Sequence, residues 1–116
     1  MTVTRTKPPN DREGWISKIK LGSSTVYLIM NFTEPGRDEG QLIELLAKAD
    51  EGNQGTADAL SLTASLLLQY NCPPEKLVEK WRGMRFPPDS IGRGTSIPDA
   101  FARTIQKTLE NRKEQK

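Results

Sequence analysis

The sequence predicts an α+β domain, a small antiparallel sheet followed by three helices packed on one of its faces. Three observations carry this. Residues 15–32 and 41–47 are rich in β-formers and separated by turn residues. Apolar residues recur at helical spacing over 57–70, 75–82 and 99–110. The two kinds of element are segregated, β-β-β then α-α-α, which is the order of an α+β domain and not of alternating βαβ units.

Residues 1–13 are polar, contain Pro8-Pro9, and read as an arm. Trp15, Ile16, Ile19 and Leu21 then lie among Ser17, Lys18 and Lys20, and Gly22-Ser23-Ser24 marks a turn. With 25–32, TVYLIMNF, this makes a hairpin. Glu34-Pro35-Gly36 is a further turn signal. The run 41–47, QLIELLA, fits a strand or a short helix by pattern; Gly40 and Gly52 bracket a run too short for an ordinary helix, so strand is the choice.

A Gly52-Asn53-Gln54-Gly55-Thr56 turn leads into the longest helix, 57–70. Its apolar residues, Leu60, Leu62, Ala64 and Leu66–Leu68 among them, cover more than one face, which predicts a central and largely buried helix. Cys72-Pro73-Pro74 ends it and starts the next, 75–82, with Leu77, Val78 and Trp81 inward. After a loop with three glycines and two prolines, Pro98 suits the first turn of the last helix, whose inner face is Phe101, Ala102, Ile105 and Leu109. Residues 111–116 are charged and read as a solvated tail, which leaves 14–110 as the domain.

At 116 residues the chain has room for one core. Hydrophobic residues make up 34% and charged residues 28%, so the core is thin and a homo-oligomer, a dimer or multiple of dimers, is expected to bury more surface. Seventeen basic against fifteen acidic residues leave +2, far from the field of a non-specific binder of long nucleic acid. With no histidine, the commonest general base and metal ligand is missing. The lone Cys72 forms neither an intramolecular disulfide nor a multi-thiolate zinc site. No apolar run reaches membrane-spanning length and no signal core opens the chain, so a cytoplasmic protein is expected, with no cofactor and no metal.

Thr95-Ser96-Ile97-Pro98-Asp99 reproduces the TSCPD signature with its cysteine replaced by Ile97. The wider segments LLAKADEGNQGTADALSLTASL and LLLQYNCPPEKLVEKWRGMRFPP extend the likeness from about residue 12 to 109. The chain resembles the C-terminal accessory domain of adenosylcobalamin-dependent ribonucleotide reductases, here standing alone. The resemblance implies the fold described above and a role beside such an enzyme. The replaced cysteine removes any thiol or metal role at that position. Without the reductase barrel and its cysteines, the chain is not expected to reduce ribonucleotides.

Two places suit a small anionic ligand. At 52–56, unpaired N–H groups opening a helix can hold a phosphate, with Asn53, Gly55 and Thr56 lining it; the plainer reading is a loop with Thr56 as N-cap. The loop 82–99 brings Arg85, Phe86, Arg93, Gly94, Thr95 and Ser96 before a helix. Arginine forks match phosphate oxygens and an aromatic offers a face to a base; the plainer reading makes Phe86 core and Ser96 a cap. Asp99 suits the helix dipole, and Arg103, one turn on, either joins the cluster or pairs with Asp99. No nucleophile with a base and no carboxylate cluster can be assembled, so an enzyme is not expected. The reading is a non-catalytic binder of a small nucleotide-like ligand, by analogy with phage sponge proteins that sequester cyclic nucleotide or ADP-ribose-like immune signals in the host cytoplasm. The alternative is an accessory or regulatory module of a ribonucleotide reductase.

Overall fold

The computed structural model describes residues 5–33, 40–84 and 96–114. Strands β1 (Glu13–Leu21) and β2 (Ser24–Phe32) form an antiparallel hairpin closed by Gly22-Ser23. Gly22 has φ 62°, the sign that a tight hairpin needs at its first central residue. Strand β3 (Leu42–Lys48) pairs antiparallel with β2, giving the order β1-β2-β3. The period-2 pattern sets the faces: Val26, Leu28, Met30 and Phe32 are buried, while Tyr27 faces away. Strand was thus the correct choice for the ambiguous third run, and the α+β fold class holds.

Helix α1 (Glu51–Gln69) runs along the open edge of β3. A sheet edge presents unpaired N–H and C=O groups at alternate residues, and polar side chains of α1 satisfy them in turn. Ser65 Oγ accepts from Leu45 N–H at 2.9 Å and donates to Leu45 O at 3.1 Å. Gln54 accepts from Ala49 N–H at 2.7 Å and donates to Ala47 O at 3.1 Å, and Gln69 Nε2 donates to Ile43 O at 3.4 Å. Ala57, Ala64 and Leu68 enter the core beside this polar seam. The expected central, largely buried helix is therefore a flanking one: Leu62, Leu66, Leu67 and Tyr70 are exposed. A Schellman motif ends it, with Asn71 at φ 72°, Cys72 N–H on Leu67 O and Asn71 N–H on Leu68 O.

Helices α2 (Pro74–Trp81) and α3 (Ile97–Glu114) pack on each other through Trp81 and Phe101, whose ring centroids are 6.4 Å apart. Phe101 and Ile105 of α3 complete the core under the sheet. Helix α3 continues over 111–114, part of the expected tail. Arg112 is mostly buried, pairs with Glu13, and sets its guanidinium 3.8 Å from the Phe32 ring centroid. The arm is anchored at Arg5 and Thr6: Thr6 N–H donates to Gln69 O and Arg5 Nε to Gln69 Oε1, each at 2.6 Å. Among the described residues, no helix is long and apolar enough to cross a membrane.

Candidate ligand site at the junction of the second and third helices

The loop that carries the strongest ligand reading lies largely outside the described residues, which exclude Arg85, Phe86, Arg93, Gly94 and Thr95. Its two ends are described and meet at the α2–α3 junction. Ser96 is the N-cap of α3, where its Oγ accepts from Asp99 N–H at 3.2 Å and its carbonyl from Ala100 N–H at 2.9 Å. The same hydroxyl donates to Met84 O at 2.6 Å, tying the chain after α2 to the start of α3. Ile97 is 1% exposed in the core, and Pro98 sits in the first turn, where the missing N–H costs nothing.

Asp99 is the centre of the junction. Its side chain is 2% exposed, yet both oxygens have partners. Gly83 N–H donates to Oδ1 at 2.6 Å, and Arg103 Nε lies 3.1 Å from each oxygen. Gly83 can present that N–H because it holds φ 84° just past α2, a backbone that favours glycine. A Ser-x-x-acid start would ordinarily turn its acid back onto the cap N–H; here the acid reaches across to the neighbouring helix end. Arg103, with 55% of its side chain exposed, pairs with Asp99 one turn earlier and reaches solvent beyond it. Of the expected site residues, the structure thus brings together Ser96, Asp99 and Arg103, in bonds within the chain.

Beside this junction a groove of about 490 Å³ runs between α2 and α3, lined by Glu75, Glu79, Arg82, Gln106 and Glu110. Arg82 Nη1 donates to Gln106 Oε1 at 3.2 Å. Three carboxylates against one guanidinium give the groove a negative field, poorly matched to phosphate.

At the second expected place the local structure differs from the expected turn. Residues 52–56 are not a turn but the first turns of α1, whose N-cap is Asp50 and not Thr56. Gly55 and Thr56 are exposed helical residues, and nothing lies near a Cβ built on Gly52 or Gly55. Asn53 Nδ2 donates to Asp50 Oδ1 at 2.9 Å and Ser24 Oγ at 3.3 Å. The acids at the start, Asp50 and Glu51, already complement the dipole there and would repel a phosphate. Among the described residues no cluster of acids or cysteines is placed to hold a metal ion. Sequence reasoning missed Gly83 as the partner of Asp99; the glycine after a helix was the available signal.

The TSCPD domain model matches residues 1–109. The chain is 30% identical over 107 residues to a vitamin B12-dependent ribonucleotide reductase of Streptomyces clavuligerus, covering 92% of this chain and 10% of that enzyme. It is 31% identical over 95 residues to the enzyme so named in Streptomyces avermitilis, covering 82% and 9%. The corresponding enzyme of Agrobacterium fabrum is 31% identical over 108 residues, covering 87% and 8%. The chain therefore spans about a tenth of the length of the curated relatives it matches. No solved structure matches it. The motif at the α2–α3 junction and a family match over nearly the whole chain agree, and the protein belongs to the TSCPD domain family.

Proposed function

We propose that the chain is a non-catalytic accessory module that binds a vitamin B12-dependent ribonucleotide reductase. The observation that supports this is the likeness of 92% of the chain to one small segment of such an enzyme. A segment matched over that coverage has the same fold, which suits a role beside the same kind of enzyme. The junction geometry agrees, because Ser96 and Asp99 spend their polar atoms on Met84, Gly83 and Arg103. Capture of a nucleotide-like ligand rests on Arg85, Phe86 and Arg93, which lie outside the described residues.

The test uses a purified vitamin B12-dependent ribonucleotide reductase from which the matching segment has been deleted. Adding this chain in trans should give saturable binding by biolayer interferometry and a change in deoxynucleotide production. No binding and no change in rate would sink the accessory reading. Stoichiometric uptake of one nucleotide from a calorimetry panel, lost in Arg85→Ala and Arg93→Ala, would replace it with ligand capture.

A further inference from the structure

We infer that the uncovered face of the sheet is a two-fold interface with a second copy of this chain. Among the described residues the helices cover one face and the β3 edge and leave the other face of the three strands without a covering helix. An antiparallel sheet can leave one face in water when that face is polar. Here its centre is not. Ile16 pairs with Ile29 and Ile29 with Leu46, so three apolar side chains form one row across the sheet. Ile16 is 69% exposed and Leu46 46%. Leu46 continues the row into a groove of about 400 Å³ whose far wall carries Leu62 and Leu66 of α1. An apolar band this continuous on an exposed surface marks an interface.

The rows on either side say which partner fits. On one side Lys18, Tyr27 and Lys48 stand in register; on the other, Gly14, Asn31 and Glu44. Arg12 Nη1 and Asn31 Nδ2 both donate to Glu44 Oε1, at 2.7 and 2.9 Å, and hold that carboxylate in place on this face. A two-fold axis along the apolar row lays Ile16–Ile29–Leu46 on its own copy and turns each lysine row over the other copy's Glu44 row. Lys48 then opposes Glu44 twice. An axis along the strands would instead set lysines over lysines. The surface is thus self-complementary in shape class and in charge, as an isologous dimer requires.

The test is the mass of the full chain by light scattering and sedimentation equilibrium, from low micromolar to the highest soluble concentration. A dimer is expected. Ile16→Glu and Leu46→Glu, at exposed positions, should each raise its dissociation constant by at least about tenfold without changing the far-UV circular dichroism. Lys48→Glu should weaken it too, while Lys48→Arg, which keeps the charge, should leave it within about twofold; this comparison carries the test if an apolar-to-acid change unfolds the chain. A parent that stays monomeric throughout overturns the proposal. So does a dimer that survives both Ile16→Glu and Leu46→Glu, or one indifferent to Lys48→Glu. Binding to the reductase is read separately, so either reading can fail alone.

Discussion

Replacing Asp99 with alanine should destabilise the fold by about 2–3 kcal/mol. The main share among the described contacts is the Gly83 N–H bond, a 2.6 Å contact to a carboxylate whose side chain is 2% exposed. Bonds of that charge-assisted kind contribute about 1.5–3 kcal/mol. The Arg103 pair adds little, at most about 0.5 kcal/mol, because Arg103 is 55% exposed and water screens it. For a domain of this size the loss lowers Tm by about 8–12 °C. In urea the midpoint should fall while the slope stays put, since the native state remains equally compact. Asp99→Asn keeps an acceptor for Gly83 but loses the charge, so it should fall by about half as much. Arg103→Ala alone should cost under about 0.5 kcal/mol. A cost for Asp99→Ala below about 0.5 kcal/mol would refute the reasoning, because the carboxylate would then not be joining the two helices.

Two serines one turn apart on α1 should behave oppositely. Ser65→Ala strips Leu45 of partners for both its N–H and its C=O and should cost about 1–3 kcal/mol in urea unfolding. Ser61 is buried with an Oγ that has no partner among the described residues, so Ser61→Ala should be neutral or stabilise by about 0.5 kcal/mol. Restoring the family's cysteine by Ile97→Cys should cost about 1–3 kcal/mol through lost packing. Its thiol should stay silent to a thiol reagent until the chain unfolds, while the partly exposed Cys72 reacts at once. Arg112→Ala removes the contact with Phe32 and the pair with Glu13, and should lower stability by about 1–2 kcal/mol in the same unfolding assay.

Where the sequence succeeded, a local period and a burial requirement agreed. The hairpin was legible because β2 alternates buried Val26, Leu28, Met30 and Phe32 with outward residues, and Gly22 marks the turn. The start of α3 was legible from Pro98. The start of α1 was not, because Gly52 and Gly55 look like loop residues. Gly55 costs about 1 kcal/mol inside a helix, a penalty tolerated here because Gln54 and Asn53 between them bond Ala47, Ala49, Asp50 and Ser24. The burial of α1 was misjudged for a related reason. Gln54, Ser61, Ser65 and Gln69 recur at helical spacing, and a polar stripe ordinarily marks the wet face. Against an open strand edge the preference inverts, since only polar side chains can satisfy the backbone there, and the leucines are pushed outward. Arg112 was hidden in a charge run because nothing local signals that Phe32 and Glu13 lie beside it. At the site, the Asp99–Arg103 spacing was readable, but Gly83 lies sixteen residues away and only the fold joins them.

The described residues at the family motif's positions all have work within the fold. Ser96 caps α3 and bonds Met84, Ile97 fills the core, Pro98 starts the helix, and Asp99 takes the Gly83 N–H. On the proposed reading, a motif so occupied serves the architecture and recognition falls to other surfaces. That division makes a consequence: changes at Asp99 or Ser96 should act on stability, and changes at Ile16 or Lys48 on assembly. Among the described residues no hydrogen bond or ion pair joins the two sets, so their effects should add. A double variant, Asp99→Asn with Ile16→Glu, should therefore show the stability loss of the first measured on the monomer and the assembly loss of the second. Departure from additivity by more than about 0.5 kcal/mol would mean that the junction and the open face are coupled through the core, and that the motif reaches function after all.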